Sequence, residues 1–376
     1  DRRIPDLTDI QVLVEFERLL GSLGDGHVWI APDPDDERWR PGLPLMFFLF
    51  AEGLFIIADA PEHRDLLGVE VLRFDGRSVD EVMAALDPLL PRDSDNRVRV
   101  WQLLPGRMRD IPVLHALGLL DDPGRVTLAI RGLDGVEREI TVDADPRWPG
   151  ARTEERFPYP SGWSYFPETL PGPLPLYLRN LWVPYWFTYL PAEQTVYFQF
   201  SSVRNSPEEG FERFCERLFA FISEQPVDRL VIDIRWNSGG NTLLEIQLLQ
   251  RIIASKINRY GRFFVIIGRG TFSAAQNGAG MFDRYTNAIF VGEPTGSSPI
   301  FIGESVPFHL PYSNAEANVS DLLWHTTWPM DHRPWIAPTL YTPPTFASFR
   351  ANRDPALEAV LAWREHLPGR EYLPIG

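Results

Sequence analysis

The stretch that decides the fold is RLVIDIRWNSGGNTLLEIQLLQRIIASK, residues 229–256. It opens with a continuous apolar run, which is typical of a strand buried on both faces of a parallel sheet. The NSGGN segment then predicts a tight loop, and the remaining residues are apolar at helical spacing. A buried strand, a glycine loop and a helix in this order predict a layered α/β domain.

The alternation of strands and helices continues on both sides of this stretch. TVYFQFSSV (195–203) predicts a strand, and EEGFERFCERLFAFISEQ (208–225) predicts an amphipathic helix. Downstream, the segments GRFFVIIGRG (261–270), TFSAAQNGAGMFDRY (271–285) and NAIFVGE (287–293) predict a strand, a helix and a strand.

Composition excludes several classes of function. The 376 residues suffice for two or three domains, and the net charge of −15 argues against a nucleic-acid or anionic-membrane partner. The longest apolar run, LMFFLFA at 45–51, is too short to span a membrane. The lone Cys215 excludes an internal disulfide framework and a cysteine zinc site, and no pair of histidines has HExxH spacing. We therefore expect no metal and no cofactor.

We expect four segments along the chain. Residues 1–40 form an N-terminal helical segment, with a helix over 10–21 and a DGH motif. Residues 41–145 show a strand, a turn, a helix and then a hairpin around Asp-Gly, a PDZ-like pattern with a helical insertion at 91–123. The segment 146–194, rich in proline and aromatic residues, is expected to be a linker, and 195–376 to be the α/β domain.

Two strand–loop–helix junctions could carry chemistry. In the first, Gly239 and Gly240 leave backbone N–H groups open to a ligand at the positive end of the following helix. A phosphate-binding loop would need a Gly-Lys-Ser/Thr, which is absent, and a bare glycine turn remains the alternative. In the second, Ser273 precedes a helix, either as its N-cap or as a nucleophile served by the Ala274 N–H.

A nucleophilic serine needs a base, and His27 is a candidate. It follows a glycine-bearing turn and precedes a strand-like VWI, although a histidine in a turn is often simply solvated. The chain has one lysine, Lys256, so a mechanism with a catalytic lysine depends on that residue alone.

The junctions resemble, in order, the three core motifs of the S41 serine peptidases, which include the C-terminal processing and tricorn-type proteases. The matching segments are LVIDIRWNSGGN (230–241), GRGTFSAAQN (268–277) and AIFVGEPTGSS (288–298). SLGDGHVWI (22–30) is similar to the family's N-terminal motif, and RDPALEAVLAW (353–363) to its last helix. The resemblance implies a layered α/β core of the crotonase and ClpP-like type.

The resemblance also implies roles for individual residues. Ser273 corresponds to the nucleophile, and Gly239 or Gly240, with the amide of Ala274, to the oxyanion hole. Processing proteases pair the serine with a lysine, but Ser298 stands at that lysine's position here.

Lys256 precedes Ser273 at the end of a helix and cannot take the place of that lysine. The chain therefore looks like the tricorn-type variant, in which an N-terminal histidine is the base, and His27 is the match. The third catalytic residue would be a carboxylate that orients His27, either Asp331 or, as the alternative, Glu304. Tricorn-type sites place a serine before the histidine, where this chain has Gly26.

The implied function is a serine peptidase acting on a peptide or protein substrate through an acyl-enzyme. The alternatives are a ligand-binding protein on the same scaffold and an acyl-transfer enzyme other than a peptidase. The resemblance leads us to expect export, since many members act outside the cytoplasm, although no signal peptide is visible in the sequence. The start at DRRIPDL, without Met, leads us to expect an upstream piece, and a homo-oligomer stays open.

Overall fold

The structure is a computed structural model that describes residues 4–33, 36, 41–147 and 162–364. Its α-helices are α1 (Asp9–Gly21), α2 (Val79–Leu86), α3 (Arg97–Arg107), α4 (Ile111–Ala116), α5 (Phe211–Glu224), α6 (Glu245–Ala254), α7 (Ala274–Tyr285), α8 (Phe346–Phe349) and α9 (Pro355–Ala362). Its strands are β1 (Trp29–Ala31), β2 (Leu45–Leu49), β3 (Leu54–Asp59), β4 (Glu70–Phe74), β5 (Arg77–Ser78), β6 (Arg125–Arg131), β7 (Glu137–Asp143), β8 (Ser164–Tyr165), β9 (Tyr185–Leu190), β10 (Thr195–Phe200), β11 (Arg229–Asp233), β12 (Phe263–Ile267), β13 (Ile289–Gly292), β14 (Ile300–His309), β15 (Glu316–His325) and β16 (Leu340–Tyr341). Among the described residues, no helix combines the length and apolar character needed to cross a membrane.

A six-stranded sheet organises the C-terminal half, with the strand order β16-β13-β12-β11-β10-β9. Strands β10 to β13 and β16 run parallel, and β9 closes one edge antiparallel to β10. The crossovers between the parallel strands carry α5, α6 and α7. The predicted layered α/β core is confirmed.

Both faces of this sheet are buried, as the continuous apolar runs predict. Phe198, Ile232 and Val265 face a cluster built with α5, α6 and α7. Their neighbours Val231 and Phe264 point to the opposite face, where residues of α9 cover them. The alternation follows from the two-residue period of a strand, which sends successive side chains to opposite faces.

A second sheet, in the N-terminal half, has the strand order β2-β3-β4-β6-β7, with β5 beside β4 and β8 beside β3. The predicted hairpin is confirmed as β6 and β7, and Gly135 takes the positive φ of 82° that its turn requires. The helix that the sequence places after Ser78 is α2, where Ser78 and Glu81 form a reciprocal capping box. The PDZ-like identity of this unit stays a prediction.

The structure differs from the predicted segments in two places. Strand β9 lies within 146–194, the segment predicted to be a linker, because its aromatic residues between prolines obscure the strand pattern. Residues 148–161 of that segment lie outside the described residues. Strand β1 pairs with β15 near the other end of the chain, so the N-terminal segment is joined to the C-terminal half in a three-stranded sheet.

We expect Phe264→Ala to lower the free energy of unfolding by about 3–5 kcal/mol, because Phe264 is fully buried between the sheet and α9. Chemical denaturation measures this change. Tyr312→Ala is the control, since that side chain is 99% exposed and its loss should change stability by about 0.5 kcal/mol or less. Equal effects of the two substitutions would contradict the assigned packing.

Candidate active site

The two predicted junctions meet at one edge of the six-stranded sheet. Strands β11 and β12 are hydrogen-bonded parallel neighbours, so the loops after their carboxyl ends lie side by side. The Phe272 N–H donates to the Asn237 carbonyl at 3.1 Å, and the Thr271 hydroxyl donates to the Ile234 carbonyl at 2.9 Å. These bonds hold the loop before Ser273 (268–273, the serine loop) in contact with the loop after β11 (234–241, the glycine loop).

Ser273 lies at the sharp turn between β12 and α7. Its φ of 53° and ψ of −125° are unfavourable for a residue with a side chain. Ser273 stands at the N-cap position of α7, yet its hydroxyl makes no capping hydrogen bond. The strain therefore does not serve to cap the helix, and strained backbone of this kind clusters at functional sites.

The glycine loop approaches Ser273 so closely that a side chain would not fit. A Cβ on Gly239 would lie 2.7 Å from the Ser273 Cβ and 2.8 Å from the Ala274 nitrogen. The Gly239 N–H already donates to the Asn237 side chain at 2.9 Å. Within the described part of the chain, the N–H groups of Gly240 and Ala274 have no hydrogen-bond partner, so two donors stay free near the serine.

His27 lies beside the residue that precedes the serine. Its ring stacks on Phe272, with 4.5 Å between the ring centroids, and on Phe301 at 5.2 Å. Its backbone N–H donates to Asp25 at 2.8 Å, and its carbonyl accepts from Asn318 of β15 at 2.8 Å. The structure thus brings His27, Ser273 and the glycine loop into one region, although they are far apart in sequence.

The environment of His27 keeps its ring neutral. Burial, reinforced by the positive charge of Arg99, lowers the pKa of His27 to about 4, while the Ile302 backbone opposes the shift. Apart from this contact with the Ile302 backbone, neither ring nitrogen has a protein hydrogen-bond partner within the described residues. A neutral imidazole with a free lone pair is available at neutral pH to accept a proton.

Two buried carboxylates near His27 escaped the sequence analysis. Asp93 is 3% exposed and Asp25 is 9% exposed. One oxygen of each and one ring nitrogen of His27 lie within 4.8 Å of one another, a set that could also hold a metal ion. Asp25 adjoins the DGH motif, but nothing in the PRDSDN loop around Asp93 signals a contact with residues so distant along the chain.

The two predicted acidic residues lie elsewhere. Asp331 pairs with Arg333 at 2.6 Å, which lowers the pKa of Asp331. Arg333 also pairs with Asp283 of α7, ten residues after Ser273 and so about 15 Å along the helix. Glu304 is exposed on β14, with a φ of 52°. Neither carboxylate has a hydrogen bond to His27 or Ser273 among the described residues.

The only lysine is far from this site. The ammonium group of Lys256 lies 3.4 Å from the Gln225 carbonyl, and Lys256 precedes β12, whereas Ser273 follows that strand. Ser298, at the position of the lysine of processing proteases, is buried, and its hydroxyl donates to the Pro334 carbonyl at 3.1 Å. Lys256 therefore lies near the amino-terminal end of β12, whereas Ser273 lies beyond its carboxyl-terminal end.

Comparison with known structures identifies the fold. Mature CPAF aligns with a TM-score of 0.61 and 14% identity over 93% of this chain and 85% of that chain. The structure of mature CPAF complexed with lactacystin gives 0.60 and 15% over 93% and 86%. The chain has the fold of CPAF. Because CPAF is an S41-type peptidase, the predicted resemblance is confirmed at the level of the fold.

A putative S41 protease from Bacteroides fragilis aligns less well, over 90% of this chain and 86% of its own, at 14% identity and a TM-score of 0.42. No family model and no curated protein sequence matches the chain.

We expect the imidazole of His27 to titrate with a pKa of about 4 in an NMR titration of labelled histidine, with assignment from the spectrum of His27→Ala. Arg99→Gln should raise this pKa, because it removes the positive charge that disfavours the imidazolium. Arg97→Gln, a change at an exposed arginine of the same helix, is the matched control. A His27 pKa near 6.5 in the wild type would contradict the burial of the ring.

Proposed function

We propose that the protein is a serine peptidase that hydrolyses peptide bonds through an acyl-enzyme, with Ser273 as the nucleophile and His27 as the general base. The observation that carries the proposal is the strained Ser273 at the start of α7, beside two unpartnered backbone N–H groups and next to Phe272, on which the neutral His27 ring stacks. The strained backbone of Ser273 is not explained by helix capping, whereas a nucleophile at this turn has the two backbone donors beside it.

The reaction begins with proton transfer from the Ser273 hydroxyl to the neutral His27 ring. The Ser273 oxygen attacks the substrate carbonyl carbon, and the negative charge that develops on the carbonyl oxygen is stabilised by the Gly240 and Ala274 N–H groups. The imidazolium then returns the proton to the leaving amine, and the acyl-enzyme forms. Water, deprotonated by the same ring, releases the acid and regenerates Ser273.

The histidine ring has to reach the serine for the first step. No hydrogen bond joins His27 to Ser273 in this structure. The stacking of the ring between Phe272 and Phe301 leaves sliding within its own plane as the easiest movement. Catalytic hydrogen bonds are often long in the absence of substrate and shorten in the complex, so this geometry is compatible with a base.

The helix dipole of α7 supports the same assignment. The first turn of a helix carries partial positive charge, and Ser273 sits at that end of a helix of 12 residues. Negative charge that develops near Ser273 during attack is therefore favoured before substrate binds. Neither Asp331 nor Glu304, the two alternatives that the resemblance offers as the third member, forms a hydrogen bond with a ring nitrogen of His27 among the described residues.

We expect Ser273→Ala and His27→Ala each to lower peptidase kcat by about 10⁴-fold or more, since each removes a group that takes part in bond formation. Ser273→Ala should also abolish labelling by a fluorophosphonate probe, read by mass spectrometry of the Ser273 peptide. Ser223→Ala and His332→Ala, at exposed positions, are the matched controls and should retain activity.

Retention of peptidase activity and labelling in either Ser273→Ala or His27→Ala would overturn the assignment. Absence of labelling in the wild type, together with saturable binding of an apolar ligand, would instead favour a binding protein on the same scaffold. Labelling with turnover of esters but not of peptides would favour a different acyl transfer.

We expect Asn237→Ala to lower kcat by about 10²-fold with a smaller change in KM. The Asn237 side chain accepts from the Gly239 N–H at 2.9 Å and donates to the Phe200 carbonyl at 2.9 Å, so it holds the loop that presents the Gly240 N–H. Steady-state kinetics on a fluorogenic peptide measure both constants. If Asn237→Ala left kcat unchanged, or raised KM only, the glycine loop would not stabilise the transition state.

A further inference from the structure

One segment of the N-terminal half enters the candidate active site. Asp93 accepts hydrogen bonds from the loop before His27 and from the loop after β13. The Asn96 side chain donates to the Thr295 carbonyl at 3.1 Å and to the Pro334 carbonyl at 2.8 Å. The Arg99 guanidinium lies over the Phe272 ring, 3.8 Å from its centroid. This segment, 93–99, lies in the region that the sequence assigns to a helical insertion, and it is built into the site.

Asp93 connects the histidine loop to the loop that follows β13. One carboxylate oxygen accepts from the Gly26 N–H at 2.8 Å. The other accepts from the Ser298 N–H at 3.0 Å and from the Ser297 hydroxyl. Burial raises the pKa of Asp93, and these three hydrogen-bond donors oppose the shift because they favour the ionised carboxylate.

The space before His27 is occupied by this carboxylate. A Cβ on Gly26 would lie 2.7 Å from an Asp93 oxygen and 3.0 Å from Phe272. Any residue with a side chain at position 26, including a serine, would displace Asp93 or Phe272. The glycine and the buried carboxylate therefore belong together, and the backbone next to His27 is fixed by a residue 66 positions away (93 − 27).

We propose that Asp93 is the positioning residue for His27, the carboxylate that fixes the histidine loop and stabilises the imidazolium formed during the reaction. This inference rests on the proposed function. When His27 accepts the Ser273 proton, the new positive charge lies within 4.8 Å of an Asp93 oxygen, in a buried site where charge–charge interactions are strong. The charged groups that face the ring are then Asp25 and Asp93, each with an oxygen within 4.8 Å of a ring nitrogen, and Arg99, whose positive charge opposes the imidazolium.

Asp25 has a different task. One of its oxygens accepts from the His27 backbone N–H at 2.8 Å and from the Ser320 hydroxyl at 3.2 Å, which shapes the turn and ties it to β15. Asp93 joins the histidine loop to the loop that follows β13, at the end of the sheet where Ser273 lies. The N-terminal half thus supplies both the base and the carboxylate that positions it.

The test compares Asp93→Asn with Asp95→Asn, a matched change at an exposed position of the same loop. The second-order rate constant of fluorophosphonate labelling of Ser273 is the first readout. Asp93→Asn should lower it on the order of 10²-fold, because the amide cannot replace the negative charge, while Asp95→Asn leaves it unchanged. An unchanged rate in Asp93→Asn overturns the proposal.

The His27 titration separates positioning from collapse of the site. If Asp93 acts on the imidazolium, its loss lowers the pKa of His27 below the wild-type value, because a favourable negative charge is removed. A slow Asp93→Asn variant whose His27 pKa rises towards 6.5 has simply exposed the ring, and that result overturns the proposal too. The titration of His27 does not require an active enzyme. If the wild type is not labelled, the proposed function is refuted, and the effect of Asp93 on the pKa of His27 can still be measured.

Discussion

The parallel pairing of β11 with β12 is the constraint on which the site depends. Two chain segments that are separated by α6 must end at the same edge of the sheet, so the glycine loop and the serine turn come into contact without any bond between their side chains. The contact is close enough that Gly239 has no room for a Cβ. A displacement of either strand by one residue would reverse the facing of its side chains and separate the Gly240 amide from Ser273.

Arginine, which makes up 35 of the 36 basic residues, holds the layers around this sheet edge together. Arg235, at the end of β11, makes two bonds of 2.9 Å to Asp354, the N-cap of α9, and one of 3.0 Å to Asp233. Arg269, on the serine loop, pairs with the buried Glu293 and reaches the Leu49 carbonyl of β2 at 2.8 Å. A planar guanidinium can bind several partners in fixed directions, which the ammonium of a lysine cannot do.

The parallel strands β10 to β13 and the serine turn could be predicted from the sequence because their signals are local. A continuous apolar run, two glycines and a serine before a helix lie within short windows, and each carries its own physical reason. The orienting carboxylate could not be predicted in this way, since Asp93 is buried by contacts with Gly26, Ser297 and Ser298, which no local pattern links to it. The same holds for β9, whose strand character emerges only from its pairing with β10.

The placement of His27 also has a consequence for how the molecule comes into being. Its backbone carbonyl is held by Asn318, 291 positions further along the chain, through the pairing of β1 with β15. Contacts of such long range form late, because a large loop must close before they give any stabilisation. During synthesis, His27 leaves the ribosome long before β14 and β15, the strands whose pairing fixes it. Ser273 has not yet been synthesised at that stage. Because Asn318 follows both His27 and Ser273 in the sequence, the candidate site cannot be complete before synthesis has passed β15.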